Sequence, residues 1–207
     1  MTITTILFDF GGVLYEMPDP KGIDKWTNLL GIKRTPELTE MLTKPHESEL
    51  VKDICLGKIS EEEVWGMVRS RWSVTPSLIG RIRRKFLSKR SLNRQMVEYM
   101  ASLKDDFQLG ILSNAGDQAR SLMTDVLHLD RYVDEIIISA EEGVIKPDEV
   151  IYQIAMDRLN TTPEQTLFID DYLDNVEAAE KFGMKAIHFT EYQQGIEMIR
   201  EILQEEG

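Results

Sequence analysis

Five short apolar runs punctuate the chain: Thr4–Phe8, Gln108–Leu112, Glu135–Ser139, Thr166–Ile169 and Lys185–His188. Their apolar residues are close to continuous rather than alternating, which predicts strands buried on both faces. The segments between the last four runs carry helical spacing instead. Leu122, Met123, Val126 and Leu127 form one stripe; Val150, Ile151, Ile154, Ala155 and Leu159 form a second; Val176, Ala179 and Phe182 a third; and Ile196, Ile199 and Ile202 a closing one. Strand–helix alternation predicts an α/β fold, a parallel sheet wrapped by helices. Such sheets bind ligands at the carboxyl ends of their strands.

The first two runs are separated by far more chain than a βα crossover needs. That stretch reads as helix. Trp26, Leu29 and Leu30 open it, and Leu38, Met41 and Leu42 follow. Ser60 and Glu63 form a capping box ahead of Val64, Met67 and Val68. Thr75-Pro76 starts a further helix through Leu78, Ile79, Ile82 and Phe86, with proline at its first position. Residues 17–88 are therefore expected to form a helical subdomain over the mouth of the sheet, with residues 1–16 and 89–207 forming the core.

Composition narrows the function classes. Of 207 residues 42% are hydrophobic, enough for a real core, and the formal net charge is −12. That charge disfavours nucleic acid and anionic membrane as partners, and it obliges any phosphate site to supply its own positive charge. Cys55 is the one cysteine, so no disulfide forms within the chain. Ile3–Phe8 is too short for a signal peptide, and no apolar window reaches a membrane-spanning length. A cytoplasmic location, as monomer or homodimer, is expected.

Four motifs close the apolar runs or follow them: Asp9-Phe10-Gly11-Gly12, Ser113-Asn114, Lys146-Pro147-Asp148 and Asp170-Asp171. Each has an ordinary structural explanation. Asp9 suits a turn, Ser113-Asn114 suits a helix cap, and Lys146 taken singly suits the surface. Asp170-Asp171 is the least ordinary, because adjacent carboxylates at the end of a buried strand repel unless a cation sits there. The segment from Asp170 to Asn175 lacks the glycine and closing glutamate of a calcium loop. Gly11-Gly12 does not belong to a G-x-G-x-x-G dinucleotide loop. Taken together, a carboxylate nucleophile, a hydroxyl, a lysine and an acidic pair suit metal-assisted attack on a phosphate ester. Receiver-type signalling domains use similar residue types in a different order and without the insertion.

In this order the motifs resemble those of the haloacid dehalogenase superfamily, in the branch with a helical cap inserted after the first strand. Within it the chain is similar to small sugar-phosphate phosphatases. The resemblance covers residues 4–14 and 108–190, with the cap between them. It implies a Rossmann-like, doubly wound core with a four-helix-bundle-like cap, a Mg2+ cofactor and a small phosphorylated metabolite as substrate. It implies that Asp9 is the nucleophile, and that Asp9, the main-chain carbonyl of Gly11 and Asp171 hold the metal while Asp170 orients its waters. It further implies that Ser113 and Asn114 hydrogen-bond the phosphoryl group, that Lys146 neutralises it, and that Asn175 supports the metal loop and Lys146.

One position departs from the pattern. Most phosphatases of this superfamily carry a second aspartate, the general acid–base, where this chain has Gly11. Three consequences are open: a substrate with a good leaving group, a proton delivered by Glu16 or a cap residue, or a weakened site that binds phosphate ligands without turnover. Haloacid dehalogenases proper carry a tyrosine there and fit less well. The basic run Arg81, Arg83, Arg84, Lys85, Lys89, Arg90 and Arg94 reads first as a solvated helix face and second as an attractor of anionic substrate. Trp26, Trp65 and Trp72 read as cap packing. His46, His128 and His188 show no ligand spacing and receive no role.

Overall fold

The structure is a computed structural model and describes residues 2–16, 44–72, 75–77, 79–81 and 92–204. Five strands form the sheet: β1 (Thr5–Phe8), β2 (Gln108–Ser113), β3 (Glu135–Ile138), β4 (Thr166–Asp170) and β5 (Lys185–His188). All five stand where the apolar runs placed them. Every pairing is parallel, and the spatial order is β3-β2-β1-β4-β5. The chain builds outward from β1 to β3, then returns to the other side of β1 for β4. The direction of winding reverses beside β1, and the crevice at that point is where such folds bind ligands.

Among the described residues the named α-helices, in chain order, are α1 (Glu49–Cys55), α2 (Glu61–Trp72), α3 (Arg94–Ser102), α4 (Ala119–Ser121), α5 (Ser139–Glu142), α6 (Glu149–Leu159), α7 (Leu173–Phe182) and α8 (Tyr192–Gln204). Alternate strand residues serve opposite faces. Ile6, Phe8, Ile111 and Ile169 pack with Met96 and Met100 of α3 and Ile196 and Ile199 of α8. Leu7, Leu112, Ile137 and Phe168 pack with Ile151, Tyr152 and Ala155 of α6 and Ala179 of α7. Helices thus cover both faces, which is why the strands carry no polar alternation.

Two expected stripes differ in detail. The stripe at Leu122–Leu127 is not a regular α-helix: α4 widens into a π-helical turn over Leu122–Val126, closed by the Leu127 N–H on the Leu122 carbonyl at 2.9 Å. The Thr124 hydroxyl donates back to the Arg120 carbonyl at 2.9 Å, a local bond that competes with the ladder and favours such a bend. Wider spacing per turn leaves Val126 exposed while Leu122, Met123 and Leu127 are buried. Val150, in the first turn of α6, also faces solvent.

Between β1 and β2 the regular elements among the described residues are helices, with isolated bridges Gly11–Tyr15 and Tyr15–Leu92 but no strand. The Ser60–Glu63 capping box forms with both reciprocal bonds, at 2.8 and 3.2 Å. The Ile79 N–H reaches the Thr75 carbonyl at 3.1 Å, consistent with a helix start at Thr75-Pro76. These helices dock on the loops after β2 and β3. The Asp117 carboxylate accepts the Glu61 N–H at 2.9 Å, so a core residue caps α2. Gly57, at φ +68°, lies so close to Ala140 that an added Cβ would stand 2.3 Å from its carbonyl oxygen. The expected stripes at Trp26–Leu30 and Leu38–Leu42, and the basic run other than Arg81 and Arg94, lie outside the described residues.

The return from insertion to core is fixed by Asn93. Its side chain accepts the Met96 N–H at 3.2 Å, capping α3, and donates to the Val13 carbonyl at 3.1 Å. Asn93→Ala removes both bonds at once. It is expected to cost about 1 kcal/mol, read as a fall in melting temperature of roughly 2–4 °C, with the far-ultraviolet circular dichroism unchanged.

Candidate active site

The parallel register brings the motifs together. Phe8 pairs with both Ile111 and Ile169, so β1, β2 and β4 end at nearly the same height. Asp9 then follows β1, Ser113 ends β2 and Asp170 ends β4. Ser113 and Asp170 are buried, and Asp9 is nearly so.

Lys146 joins them. It comes from the loop between α5 and α6 and is itself buried. Its ammonium donates to Asp9 at 2.7 Å, to Asp170 at 2.7 Å and to the Leu112 carbonyl at 2.9 Å, which matches its three donors to three acceptors. The loop is held from both sides. Asn114 donates to the Lys146 carbonyl and accepts its N–H, each at 2.8 Å. Asp148 accepts the Val150 N–H at 3.0 Å and so caps α6. The Asn114 side-chain amide is thereby engaged at both ends by the Lys146 backbone.

Asn175 donates to both oxygens of Asp170 at 3.1 Å, and the Tyr172 N–H adds a bond at 2.8 Å. Asn175 in turn receives the hydroxyl of the fully buried Tyr152 on its carbonyl at 2.8 Å. Asp9, Asp170 and Asp171 each offer an oxygen within 4.8 Å of the others. Gly12, at φ +80°, packs directly on Asp171: an added Cβ would stand 2.0 Å from its Oδ2. Only glycine leaves space for that carboxylate and adopts that backbone angle without strain.

The electrostatics of the cluster suit a cation. Three carboxylates face one ammonium. Burial pushes the Asp9 carboxyl up to about 7; Lys146 pulls it down, while Asp170 and Asp171 add to the rise. Asp171 is raised by burial and by Asp170, against Lys146 and His46. Burial alone would lower the Lys146 ammonium, but Asp9 and Asp170 outweigh it and hold it above its usual value. All the donors are oxygens, the set that hard divalent cations such as magnesium prefer.

Several neighbours of the site carried no signal in the sequence. The His46 ring stacks on Tyr172 at 4.1 Å and 16°, bringing the inserted segment against the residue after Asp171. His188 lies 3.1 Å from the Asp171 carbonyl. Cys55 of α1 is buried, which pushes its thiol up to about 11, and it feels the opposing charge of Lys146. Ser139 accepts the Ala115 N–H at 3.0 Å and steadies the loop after Ser113-Asn114. Each depends on a contact between distant segments, which neither spacing nor composition reveals.

A buried lysine bridging the carboxylates that end two neighbouring strands defines a class, and the family comparison identifies it. The family model described as haloacid dehalogenase-like hydrolase matches residues 6–189, and the chain belongs to that family. It is 22% identical over 196 residues to the D-ribitol-5-phosphate phosphatase of Bacteroides thetaiotaomicron, covering 88% of this chain and 90% of that one. It is 32% identical over 114 residues to the mouse bifunctional epoxide hydrolase 2, where the match takes 53% of this chain and about a fifth (21%) of that protein's length. Among solved structures it resembles a predicted HAD-like family hydrolase of Porphyromonas gingivalis, with TM-score 0.78, 26% identity and 99% of each chain covered. A Bacteroides thetaiotaomicron HAD family enzyme, solved with magnesium and inorganic phosphate, shares the fold at TM-score 0.74 and 18% identity over 91% of this chain and 94% of that one.

The raised Asp9 carboxyl has a measurable consequence. The folded chain binds a proton there that the unfolded chain, with its carboxyl near 4, has already released. The resulting stability is complete below about pH 4 and is lost as pH rises to about 7. Denaturant melts of the metal-free protein should therefore show stability falling across that window. Asp9→Asn should flatten the fall, and a slope unchanged by this substitution would contradict the assignment.

Proposed function

We propose that the chain is a phosphomonoesterase dependent on a divalent cation, Mg2+ by preference, and that it acts on a small phosphorylated metabolite, a sugar or polyol phosphate. The observation that carries this is the ammonium of Lys146 held at 2.7 Å between Asp9 and Asp170, with Asp171 completing a three-carboxylate cluster. The names of the related phosphatases support the substrate class. Residues 17–88 are assigned to a cap that closes over this cleft, and the docking of α1 and α2 on the loops after β2 and β3 supports that assignment.

Asp9 is the nucleophile. One of its oxygens attacks phosphorus, the ester P–O bond breaks, and the phosphoryl group passes to the carboxylate. Water then attacks that phosphoryl group, the new P–O bond to Asp9 breaks, and inorganic phosphate leaves. Lys146 orients Asp9 and balances charge on the phosphoryl oxygens, and Ser113 hydrogen-bonds them. Asp9, Asp171 and the Gly11 carbonyl are assigned as metal ligands, with Asp170 directing the ion's waters. The bound cation supplies positive charge where the negative field of the cluster would otherwise repel phosphate.

Gly11 shapes the substrate preference. It brings no side chain to protonate the departing oxygen, a service that contributes roughly 10²–10⁴-fold where present. Esters whose leaving oxygen is already acidic, such as aryl phosphates or a sugar phosphorylated at its anomeric carbon, depend on it least. With Mg2+, aryl and anomeric phosphates should turn over at least ~10²-fold faster than a primary alkyl phosphate. Asp9→Asn should reduce all of them to background while inorganic phosphate still binds. Full activity in that variant would refute the proposal. Gly11 also favours a second reading, a site that binds phosphate ligands without turnover; phosphate affinity with no phosphate released from any of these esters would establish it.

A further inference from the structure

We propose that His188 is a positioning residue for the metal site, acting through the main chain of Asp171; this rests on the phosphomonoesterase reading above. The three carboxylates of the cluster are not held alike. Lys146 grips Asp9. Lys146, both amide hydrogens' worth of reach from Asn175 and the Tyr172 N–H all converge on Asp170. Asp171 is the exposed member of the trio. On one side it is packed against Gly12, and beneath it the His188 ring meets its carbonyl.

The sheet determines this contact. In the β4–β5 ladder His188 is the partner of Asp170, and the Phe189 N–H continues the ladder by donating to the Asp170 carbonyl at 2.8 Å. Partners in a parallel ladder project to the same face. His188, the last residue of β5, therefore stands beside the point where the chain leaves β4. Its Nε2 lies 3.1 Å from the Asp171 oxygen. A carbonyl only accepts, so Nε2 carries the hydrogen. The bond fixes the peptide that follows Asp171, and with it the direction in which the Asp171 carboxylate leaves the backbone. Groups that orient metal ligands from behind typically contribute 10–100-fold to metal affinity.

The test is Mg2+ binding to the whole chain, followed by isothermal calorimetry without substrate. His188→Ala should weaken Mg2+ at least ~10-fold. His188→Gln, whose side-chain amide can donate from about the position of Nε2, should stay within about threefold of the parent. At saturating Mg2+, His188→Ala should keep the parent KM for an aryl phosphate, because the phosphoryl contacts of Lys146 and Ser113 are untouched. Parent-like Mg2+ affinity in His188→Ala, or equal weakening in Ala and Gln variants, overturns the proposal. Should the Ala variant not fold, His188→Asn, too short to reach the carbonyl, takes its place with the same expectation. Asp171→Ala separates the two readings. If it abolishes Mg2+ binding while His188→Ala does not weaken it, only the role of His188 falls. If it leaves Mg2+ binding intact, the metal site itself is wrong and both fall.

Discussion

The ammonium of Lys146 lies buried between Asp9 and Asp170, and the rest of the molecule is arranged around that contact. A buried charge without partners is expensive, and removing one member of such a set leaves the others uncompensated. Here all three ammonium hydrogens find acceptors, yet the carboxylates still outnumber the lysine. The excess is what makes the site receptive to a cation, and it is tolerable because the surrounding polar groups are themselves satisfied. Asn114 clamps the Lys146 backbone, Asn175 holds Asp170, and Tyr152 reaches through the core to hold Asn175.

This arrangement has a natural place in the sheet. Reversal of strand order beside β1 opens a crevice, and the three central strands end there together. Backbone N–H and C=O groups beyond the strand ends have no ladder partners, so side chains and ligands must satisfy them. Much of the polar chemistry near the site answers that need, including the Tyr172 N–H on Asp170 and the His188 ring on the Asp171 carbonyl. The inserted helices add a second surface. His46 stacks beside the acidic pair and Cys55 lies within electrostatic reach of Lys146, so the cleft is walled by segments far apart in sequence.

Much of the fold was legible from residue pattern. Strands β1 to β4 are buried almost throughout, so their apolar runs are nearly uninterrupted, and a buried polar residue at the end of a run marks where the strand gives way to the site. Asp9 and Asp170 stand at the ends of neighbouring strands, where the Lys146 ammonium hydrogen-bonds both. The helix at Leu122–Leu127 was less legible, because the Thr124 back-bond competes with the backbone ladder and rotates Val126 out of the core. Asn114 shows a different limit. Its residue type suited a cap or a phosphate contact equally, and only the approach of the Lys146 loop decided that its amide would bind backbone.

The amino-acid sequence by itself determined the parallel sheet and the residue types at the strand ends, because periodicity and strand-end polarity are local properties of a chain. Tertiary structure alone decided which of those groups touch. Register placed His188 behind Asp171, docking of the insertion brought His46 onto Tyr172, and the close approach of Asp171 made a glycine necessary at position 12. These are pairings across the sheet and across the insertion, and their energies depend on distances that no single stretch of sequence contains.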